Sequence, residues 1–259
     1  MSTSANNVNT SLPREMEEHT YPILYALEGE HWWFVGRRKI IAGFIEEICR
    51  KLGKRRPRIL DVGCGTGANL QMLSEYGVAE GLDISPDALE FCRARGLSRV
   101  KQGMVESLPY EDASFDLITG LDVVEHLDDD VAGLKEIRRV LRPGGRAFFF
   151  VPAFMFLWGV QDDISNHRRR YTLSELKQRL IEAGLSVERA SYANITFFFP
   201  TLIGRLIMRA TGLRPASESH INIAALNGFF GWVLGLESYW LRHFNLPFGV
   251  SIVCVARKD

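Results

Sequence analysis

Three glycines at alternating positions, Gly63, Gly65 and Gly67, follow the apolar run from Ile59 to Val62. Glycine lets the backbone turn sharply and approach a ligand without interference from a Cβ, so this segment predicts a strand that ends in a ligand-binding turn before a helix. The spacing is G-x-G-x-G, whereas pyrophosphate-binding turns are typically G-x-G-x-x-G. This difference favours a ligand without phosphate at this point. Asp61, just before the turn, could pair with an ammonium group directly or through water. An ordinary strand-to-helix turn is the alternative.

A second carboxylate, Asp83, ends the next apolar run. It lies near the roughly 20-residue distance at which an acidic residue beyond a glycine turn binds ribose hydroxyls. Ile84 would then cover the face of an adenine ring. Together with Asp61, these residues predict a site for a nucleoside that also carries an ammonium group.

Candidate catalytic groups follow the fourth apolar run, at Asp122, Glu125 and His126. A helical turn there would bring the three side chains together. His126 is a candidate general base, and two carboxylates with an imidazole could hold a cation. Capping and packing are the simpler interpretation, so the sequence predicts no metal and these residues are only weak candidates.

A second cluster, from Asn166 to Tyr171, follows the fifth apolar run and its loop. His167 could accept a proton and Tyr171 is a further catalytic candidate, while Arg169 and Arg170 could bind a carboxylate or phosphate on a substrate. A solvated basic turn, with Tyr171 packed before the next helix, is an equally good interpretation.

These residues need a scaffold that brings strand ends together. Short apolar runs alternate with amphipathic segments, which is typical of β-α-β units and a parallel sheet. Strands are predicted at Arg58–Val62, Ala79–Asp83, Arg99–Gly103, Phe115–Gly120, Ala147–Val151, Ser186–Tyr192 and Gly249–Ala256, and helices at Ala68–Glu75, Pro86–Ala94 and Val131–Leu141. Pro143-Gly144-Gly145 is predicted to form a turn before the fifth strand, and Thr172 with Glu175 a capping box.

The chain resembles the class I S-adenosylmethionine-dependent methyltransferases from about Ile59 to Val151. The resemblance rests on the glycine turn and on three further motifs in the same order, which are Phe115-Asp116-Leu117-Ile118, Glu125-His126 and Leu141-Arg142-Pro143-Gly144-Gly145. It implies an α/β, Rossmann-like, seven-stranded, mostly parallel sheet with helices on both faces. It also implies S-adenosyl-L-methionine as the cofactor, bound by residues that include Cys64, Met104, Val105 and Leu121 besides those already named. Met104 stands where relatives usually have an acidic residue for the adenine amino group.

Two shorter resemblances narrow the match. Asp122 to His126 resembles the E-x-x-E-H segment of ubiquinone-biosynthesis O-methyltransferases, which is associated with a divalent metal, although Asp122 replaces the first Glu. Glu30 to Lys39 resembles the E-H-W-W-F-x-G-R-R start of a bacterial subgroup. By this resemblance Arg37 or Arg38 could meet the donor carboxylate. Trp32, Trp33 and Phe34 could line the acceptor pocket or attract the sulfonium. Core packing of the aromatic residues is the alternative.

An insertion from Asn194 to Pro247 separates the last two strands and is unusually apolar. Leu202, Ile203, Leu206 and Ile207 form one helical stripe, and Arg205 and Arg209 fall outside it. Such helices suit a membrane surface, a wall of an apolar pocket or a homodimer interface. The predicted acceptor is therefore small and apolar or lipid-like. A helical cap packed on the sheet, without lipid, is the alternative.

Composition sets the remaining expectations. The 259 residues carry 31 basic and 31 acidic side chains, so no global charge recruits nucleic acid. The four scattered cysteines favour a reducing, cytoplasmic location, with contact at a membrane surface left open. The predicted division is a disordered tail (1–20), cap helices (21–57), a methyltransferase core (58–193 and 248–259) and the insertion (194–247). A scaffold protein on the same fold and a nicotinamide-dependent oxidoreductase remain the rival functions.

Overall fold

The computed structural model describes residues 20–212 and 226–259. Its sheet contains β1 (Arg58–Val62), β2 (Val78–Asp83), β3 (Val100–Gln102), β4 (Phe115–Leu121), β5 (Leu141–Pro152), β6 (Ser186–Ala193) and β7 (Ser251–Arg257). The helices are α1 (Thr20–Leu27), α2 (Trp32–Leu52), α3 (Ala68–Tyr76), α4 (Pro86–Ala94), α5 (Asp130–Val140), α6 (Val160–Ile164), α7 (Leu173–Glu182), α8 (Phe198–Thr211) and α9 (Asn227–His243). Short 3₁₀ turns form at Val124–His126 and Met155–Leu157.

The seven strands form one sheet in the order β3-β2-β1-β4-β5-β7-β6. The pairs from β3 to β5 are parallel, and β7 runs antiparallel between β5 and β6. The chain reverses its direction of winding between β1 and β4, where an open α/β sheet forms its ligand-binding crevice. The predicted Rossmann-like, mostly parallel sheet is confirmed.

Helices cover both faces of the sheet because its central strands are apolar on both sides. Every residue of β4 is buried, as a strand with two covered faces requires. One core cluster includes residues of α5 and α7, and the other residues of α2, α3, α4 and α9. The carboxyl ends of β1, β2 and β4 are thereby fixed between two packed layers.

The start of the fifth strand differs from the prediction. The strand begins at Leu141, and Pro143-Gly144-Gly145 lies inside it rather than before it. Phe115 pairs with Leu141 and Leu117 with Arg146, so the intervening residues leave the ladder. Gly144 has φ 75° and its N–H donates to the carbonyl of Lys258 at 2.7 Å. The expected turn is therefore a bulge, held by pairing with the end of the chain.

The insertion contributes α8 and α9, of which α9 packs along α2. A Cβ on Gly36 would lie 2.7 Å from the Cβ of Leu234, so the two helices approach closely only because residue 36 is glycine. No helix among the described residues is long and apolar enough to cross a bilayer. The predicted tail lies outside the described residues up to position 19, and the division into segments stays a prediction.

Candidate active site

The glycine turn adopts the left-handed backbone conformation that glycine favours. Gly63, Gly65 and Gly67 have φ angles of 66°, 52° and 89°. A Cβ on Gly63 would lie 2.6 Å from Val123, and one on Gly67 would lie 2.8 Å from Leu97. A Cβ on Gly65 would meet no protein atom within 4 Å. Gly63 and Gly67 therefore allow tight packing, whereas Gly65 faces open space at the end of β1.

Asp83 lies directly against this turn, at the end of β2. Its carboxylate accepts hydrogen bonds from the N–H of Gly65 at 2.8 Å and of Ser85 at 3.0 Å. Burial raises the pKa of Asp83, although both backbone bonds act in the opposite direction. The half-buried Ile84 follows, and its carbonyl accepts from Gln102 at 2.9 Å. The structure thus brings together two of the predicted nucleoside contacts and Gly65.

Asp61 is fixed behind the turn. It is 1% exposed and accepts a hydrogen bond from the Thr119 hydroxyl on β4 at 2.6 Å. Burial raises the pKa of Asp61 to about 7, and the neighbouring Asp83 contributes to the rise. Asp61 therefore braces β1 against β4, and a ligand ammonium group would reach it through the turn or through water.

Arg37 and Asp122 form an ion pair beside the turn. The guanidinium also lies 4.3 Å from the centre of the Phe150 ring, and Asp122 has φ 54°, which is unusual for a residue with a side chain. The prediction placed Asp122 in a helical turn with Glu125 and His126. Asp122 instead precedes that turn and faces α2, because its carboxylate pairs with Arg37.

Three other groups meet where β4 ends: Glu125, His126 and His167 each offer a ligand atom, and these atoms lie within 4.8 Å of one another. The rings of His126 and His167 are 4.7 Å apart in an edge-to-face arrangement. Burial lowers the pKa of His126 to about 3, with contributions from His167 and Arg168. The imidazole of His126 is therefore neutral at physiological pH.

His167 is held by a buried carboxylate that the sequence analysis missed. Its Nδ1 lies 2.8 Å from Asp162, which also binds Arg170 through two bonds of 2.8 and 3.0 Å. Burial alone would raise the pKa of Asp162, but His167 and Arg170 hold it at about 2. No motif marks Asp162, because its role arises only when α6 folds against the segment that carries His167.

The predicted substrate-binding arginines are engaged within the protein. Arg170 is buried and also donates to the carbonyl of Ala153 at 3.1 Å. Arg169 donates to the carbonyl of Leu127 at 2.9 Å and pairs with Asp130 at 3.1 Å. The structure therefore gives no support to the anionic acceptor that these arginines suggested.

Tyr171 is likewise a packing residue in this structure. It is 3% exposed, and its hydroxyl donates to Asp130 at 2.8 Å. Burial and the Asp130 carboxylate raise the pKa of Tyr171, so its hydroxyl is a poor base or acid near neutral pH. These contacts favour the packing interpretation, and a catalytic role of Tyr171 stays a prediction.

Aromatic rings gather where α2 meets the insertion. The Trp32 ring centre lies 4.4 Å from that of Phe197 and 5.8 Å from that of Phe230. Trp33 packs partly against the cluster of Leu157, Phe198 and Val250. His31, the N-cap of α2, accepts from the N–H of Trp33 at 3.3 Å. These side chains form a half-buried apolar cluster, and their role in lining an acceptor pocket stays a prediction.

The remaining predicted cofactor contacts differ in exposure. Met104 is half-buried, while Val105, Leu121 and Cys64 are buried. Val105 belongs to the core cluster of α5 and α7, and the Cys64 sulfur lies 3.9 Å from that of Cys92. Because most of these side chains are packed, a ligand can reach mainly their backbone atoms and side-chain edges. Their role in cofactor binding stays a prediction.

Glu28, beyond the end of α1, reaches the glycine turn. Its carboxylate pairs with Arg95 at 3.0 Å and accepts from the Thr66 hydroxyl. Arg95 also donates to the Thr66 carbonyl at 2.8 Å, so Glu28 and Arg95 fasten α1 over the turn. No sequence spacing indicates this contact, which joins residues far apart in the chain.

Comparison with known proteins shows which family the central part of the chain resembles. Residues 60–149 match the family described as a methyltransferase domain. A Mycolicibacterium smegmatis protein named as an S-adenosylmethionine-dependent methyltransferase is 30% identical over 175 residues, covering 66% of this chain and 65% of that protein. The ubiquinone biosynthesis O-methyltransferase of Idiomarina loihiensis is 35% identical over 115 residues, covering 41% of this chain and 46% of that protein.

The fold match extends further than the sequence matches. A Haloferax volcanii protein described as a methyltransferase, solved with the Trm112 methyltransferase activator, superposes with a TM-score of 0.62 and 18% identity, over 95% of this chain and 99% of that one. Residues 60–149 are thus similar to a methyltransferase domain, and the chain has a Rossmann-like fold. It spans about half the length of the curated relatives it matches, with 58% and 43% covered in two of them.

Proposed function

We propose that this chain transfers a methyl group from S-adenosyl-L-methionine to a small apolar acceptor. The observation that carries the proposal is the open space at Gly65, whose N–H binds the Asp83 carboxylate at 2.8 Å. Backbone and carboxylate can there meet a ribose and its amino-acid tail without a side chain in between. The methyltransferase match of residues 60–149 supports this choice of ligand.

The reaction needs alignment more than it needs covalent assistance from the protein. The acceptor oxygen or nitrogen forms a bond to the methyl carbon as the carbon–sulfur bond breaks, and sulfur keeps the electron pair as S-adenosylhomocysteine. Holding the three atoms in line supplies much of the acceleration. A hydroxyl acceptor must also lose its proton. We place that loss at Glu125, His126 and His167, which gather at the end of β4.

An apolar acceptor is supported by the exposed apolar residues of the two inserted helices. In α8, Arg205 is 4% exposed while Leu206 and Ile207 are 52% and 53% exposed. In α9, Glu237 is buried and accepts from the Thr196 N–H and hydroxyl at 2.8 and 2.6 Å. Each inserted helix thus buries one charged residue while several of its large apolar residues face solvent, which is unusual for a helical cap on a soluble domain.

The outward apolar surface of α8 and α9 is defined by Phe199, Ile203, Leu206, Ile207, Phe229, Trp232, Leu236, Tyr239 and Trp240, each at least 44% exposed. Aromatic and aliphatic side chains on adjacent helices suit the interface of a bilayer. Phe197, just before α8, and Phe230, in α9, contact Trp32 at the site. We propose that this surface rests on a membrane from which a lipid-like acceptor reaches the site.

Donor binding and methyl transfer test the first part. We expect S-adenosylhomocysteine to bind in calorimetry and to stabilise the protein, by roughly 2.7 kcal/mol at a hundredfold excess over Kd. Labelled methyl from S-adenosylmethionine should then enter the lipid fraction of a cell extract. Stabilisation by nicotinamide nucleotides but not by S-adenosylhomocysteine would contradict the proposal. Donor binding with no transfer to any fraction would favour the scaffold function.

Liposome flotation tests the second part. We expect the wild-type protein to float with vesicles, and a Phe229→Ser, Trp232→Ser, Trp240→Ser variant to stay in the soluble fraction. Ile181→Ser is the matched control, since Ile181 is 64% exposed on α7 and should not affect flotation. If the wild type does not float, or light scattering shows a dimer that the triple variant dissolves, the surface is not a membrane contact.

A further inference from the structure

An open cleft lies at the edge of the sheet, between β6, α7 and the end of α9. Its volume is about 400 Å³, which is within the size range of small-molecule sites. The polar side chains that line it are those of Lys177, Glu188, Arg189, Arg242, His243 and Asn245. Because β4, β5 and β7 separate β6 from β1, the cleft is distinct from the proposed donor site at the glycine turn.

Two cations of the cleft are weakly engaged by the rest of the protein. Among residues 20–212 and 226–259, Lys177 on α7 forms no ion pair. Arg242, in the last turn of α9, pairs with Glu46 at 3.1 Å, but these side chains are 50% and 64% exposed. An ion pair as exposed as this one contributes little. Lys177 and Arg242 are therefore free to bind an anion.

The carboxylates near the cleft are already shared with other cations. Glu188 accepts two bonds from Arg146, at 2.8 and 3.0 Å. Glu47 is divided between Lys51 at 2.8 Å and Arg189 at 3.6 Å. The cations around the cleft thus outnumber the carboxylates that could neutralise them. Like charges held close together repel one another, so an anion among them would be stabilising.

Arg189 supplies a fixed positive charge at the floor of the cleft. Its guanidinium donates to the carbonyl of Leu241 and, at 3.4 Å, to those of Arg242 and Phe244. Its Nε–H donates to the side-chain oxygen of Asn245 at 3.4 Å, which leaves the amide NH₂ of Asn245 as a donor. Arg189 therefore contributes charge rather than a direct bond, and it orients one further hydrogen-bond donor.

The cleft adjoins the outward apolar surface of α8 and α9. Tyr239 and Trp240 of that surface are 65% and 56% exposed, and the exposed Arg242 and His243 follow them in the same helix. Basic residues at the border of an apolar helix face lie where the phosphates of a bilayer would be. The carboxylates beside the cleft keep the positive region small, which suits one phosphate better than the several that a nucleic acid presents.

We propose that this cleft binds a single phosphate group, with Lys177 and Arg242 as its direct contacts and the amide of Asn245 as a further donor. A lysine ammonium and an arginine fork are the side chains that bind phosphate oxygens best. A soluble phosphate ester and the headgroup of an anionic lipid share this chemistry, and the two arms of the test below separate them. The site does not rest on the proposed methyl transfer.

Calorimetry with glycerophosphate is the soluble arm, run at constant ionic strength with glycerol as the uncharged reference. We expect one equivalent of glycerophosphate to bind to the wild type. A Lys177→Gln, Arg242→Gln variant should bind at least about tenfold more weakly, because hydrogen bonds to charged groups are lost. An Arg93→Gln, Lys135→Gln variant is the matched control, since it removes the same charge from exposed positions on α4 and α5. It should bind as the wild type does.

Flotation is the lipid arm, with vesicles of phosphatidylcholine alone or with added phosphatidic acid. Each basic residue at an anionic surface contributes about fivefold to binding. The Lys177→Gln, Arg242→Gln variant should therefore bind the vesicles that contain phosphatidic acid roughly 25-fold more weakly than the wild type. Its binding to pure phosphatidylcholine, which tests the apolar surface, should be unchanged. The control variant should match the wild type on both vesicles.

Each outcome decides the proposal. A gain in flotation from phosphatidic acid that only the cleft variant loses assigns the cleft to a lipid headgroup. Glycerophosphate binding without that gain assigns it to a soluble phosphate. No saturable binding in either arm, or an equal loss in the control variant, would overturn the proposal. If the double variant does not fold, Lys177→Gln alone decides. S-adenosylhomocysteine should bind all variants equally, so a failure of the proposed donor site is seen separately.

Discussion

Substitutions of Gly65 can distinguish backbone strain from a loss of ligand binding, because a side chain at this position would meet no protein atom. Gly65 has φ 52° and no protein atom lies within 4 Å of a Cβ built on it. The left-handed conformation costs a residue with a side chain about 1–2 kcal/mol. We therefore expect Gly65→Ala to lower the free energy of unfolding by that amount, and Gly65→Val by more because it is β-branched.

Gly53 offers the matched control. It has φ 64° at the C-terminus of α2, and a Cβ there also meets nothing within 4 Å. Gly53→Ala should thus cost a similar 1–2 kcal/mol, which corresponds to a Tm decrease of roughly 2–8 °C for a chain of this size. Only the Gly65 variants place a side chain where the donor is proposed to lie.

Calorimetry with S-adenosylhomocysteine measures the difference. We expect Gly53→Ala to keep the wild-type Kd, Gly65→Ala to weaken binding by about tenfold, or 1.4 kcal/mol, and Gly65→Val to abolish measurable binding. Urea unfolding confirms that each variant is folded under the assay conditions. An unchanged Kd in Gly65→Val would refute the proposed position of the donor.

Three further predictions concern the carboxylates of the sheet. Asp83→Ala should weaken S-adenosylhomocysteine binding by at least about tenfold while the protein stays folded, and calorimetry with an unaltered Kd would disprove the ribose contact. The pKa of Asp61 rises on folding from 3.8 to about 7, so wild-type stability should fall as pH rises between those values, on the order of 1 kcal/mol per unit. Urea unfolding at several pH values should show this slope disappear in Asp61→Asn, and a persistent slope would assign it elsewhere. Asp116 is buried between Lys54 and Arg142 at 2.6 and 2.8 Å, and changing it to Ala should cost about 1–3 kcal/mol of stability, because hydrogen bonds to charged groups are lost while both cations stay partly exposed. Donor affinity in Asp116→Ala should match the wild type at a temperature where both are folded, and a selective loss of affinity would show a role beyond stability.

The sequence predicts the sheet well because strand and helix periodicities are local. The strand ends that carry Asp61 and Asp83 are placed correctly, and these two residues adjoin the glycine turn as expected. The bulge at Pro143 to Gly145 was missed because it depends on pairing with Lys258, more than a hundred residues later.

Side-chain partners were harder to predict than strands. The spacing from Asp122 to His126 indicates one helical turn with all three groups together, but the left-handed backbone at Asp122 turns its carboxylate toward Arg37. In the sequence, Arg169 is a substrate-binding candidate and Tyr171 a catalytic one, yet buried Asp130 binds both. Which acid meets which base depends on tertiary packing, so a motif identifies the cluster but not its pairs.

The two inserted helices, α8 and α9, also show what periodicity alone does not predict. Periodicity identifies the apolar stripe of α8 but not the direction in which it faces, and the residues outside the stripe decide that direction. Arg205 packs against Gly159, and a Cβ on Gly159 would overlap the guanidinium of Arg205. Glu237 accepts hydrogen bonds from the N–H groups of Ile195 and Thr196, in the chain that leads from β6. These contacts bury Arg205 and Glu237, while large apolar residues on other sides of both helices are exposed. The exposed apolar residues of these helices are therefore the observation on which the proposed contact with an apolar phase rests.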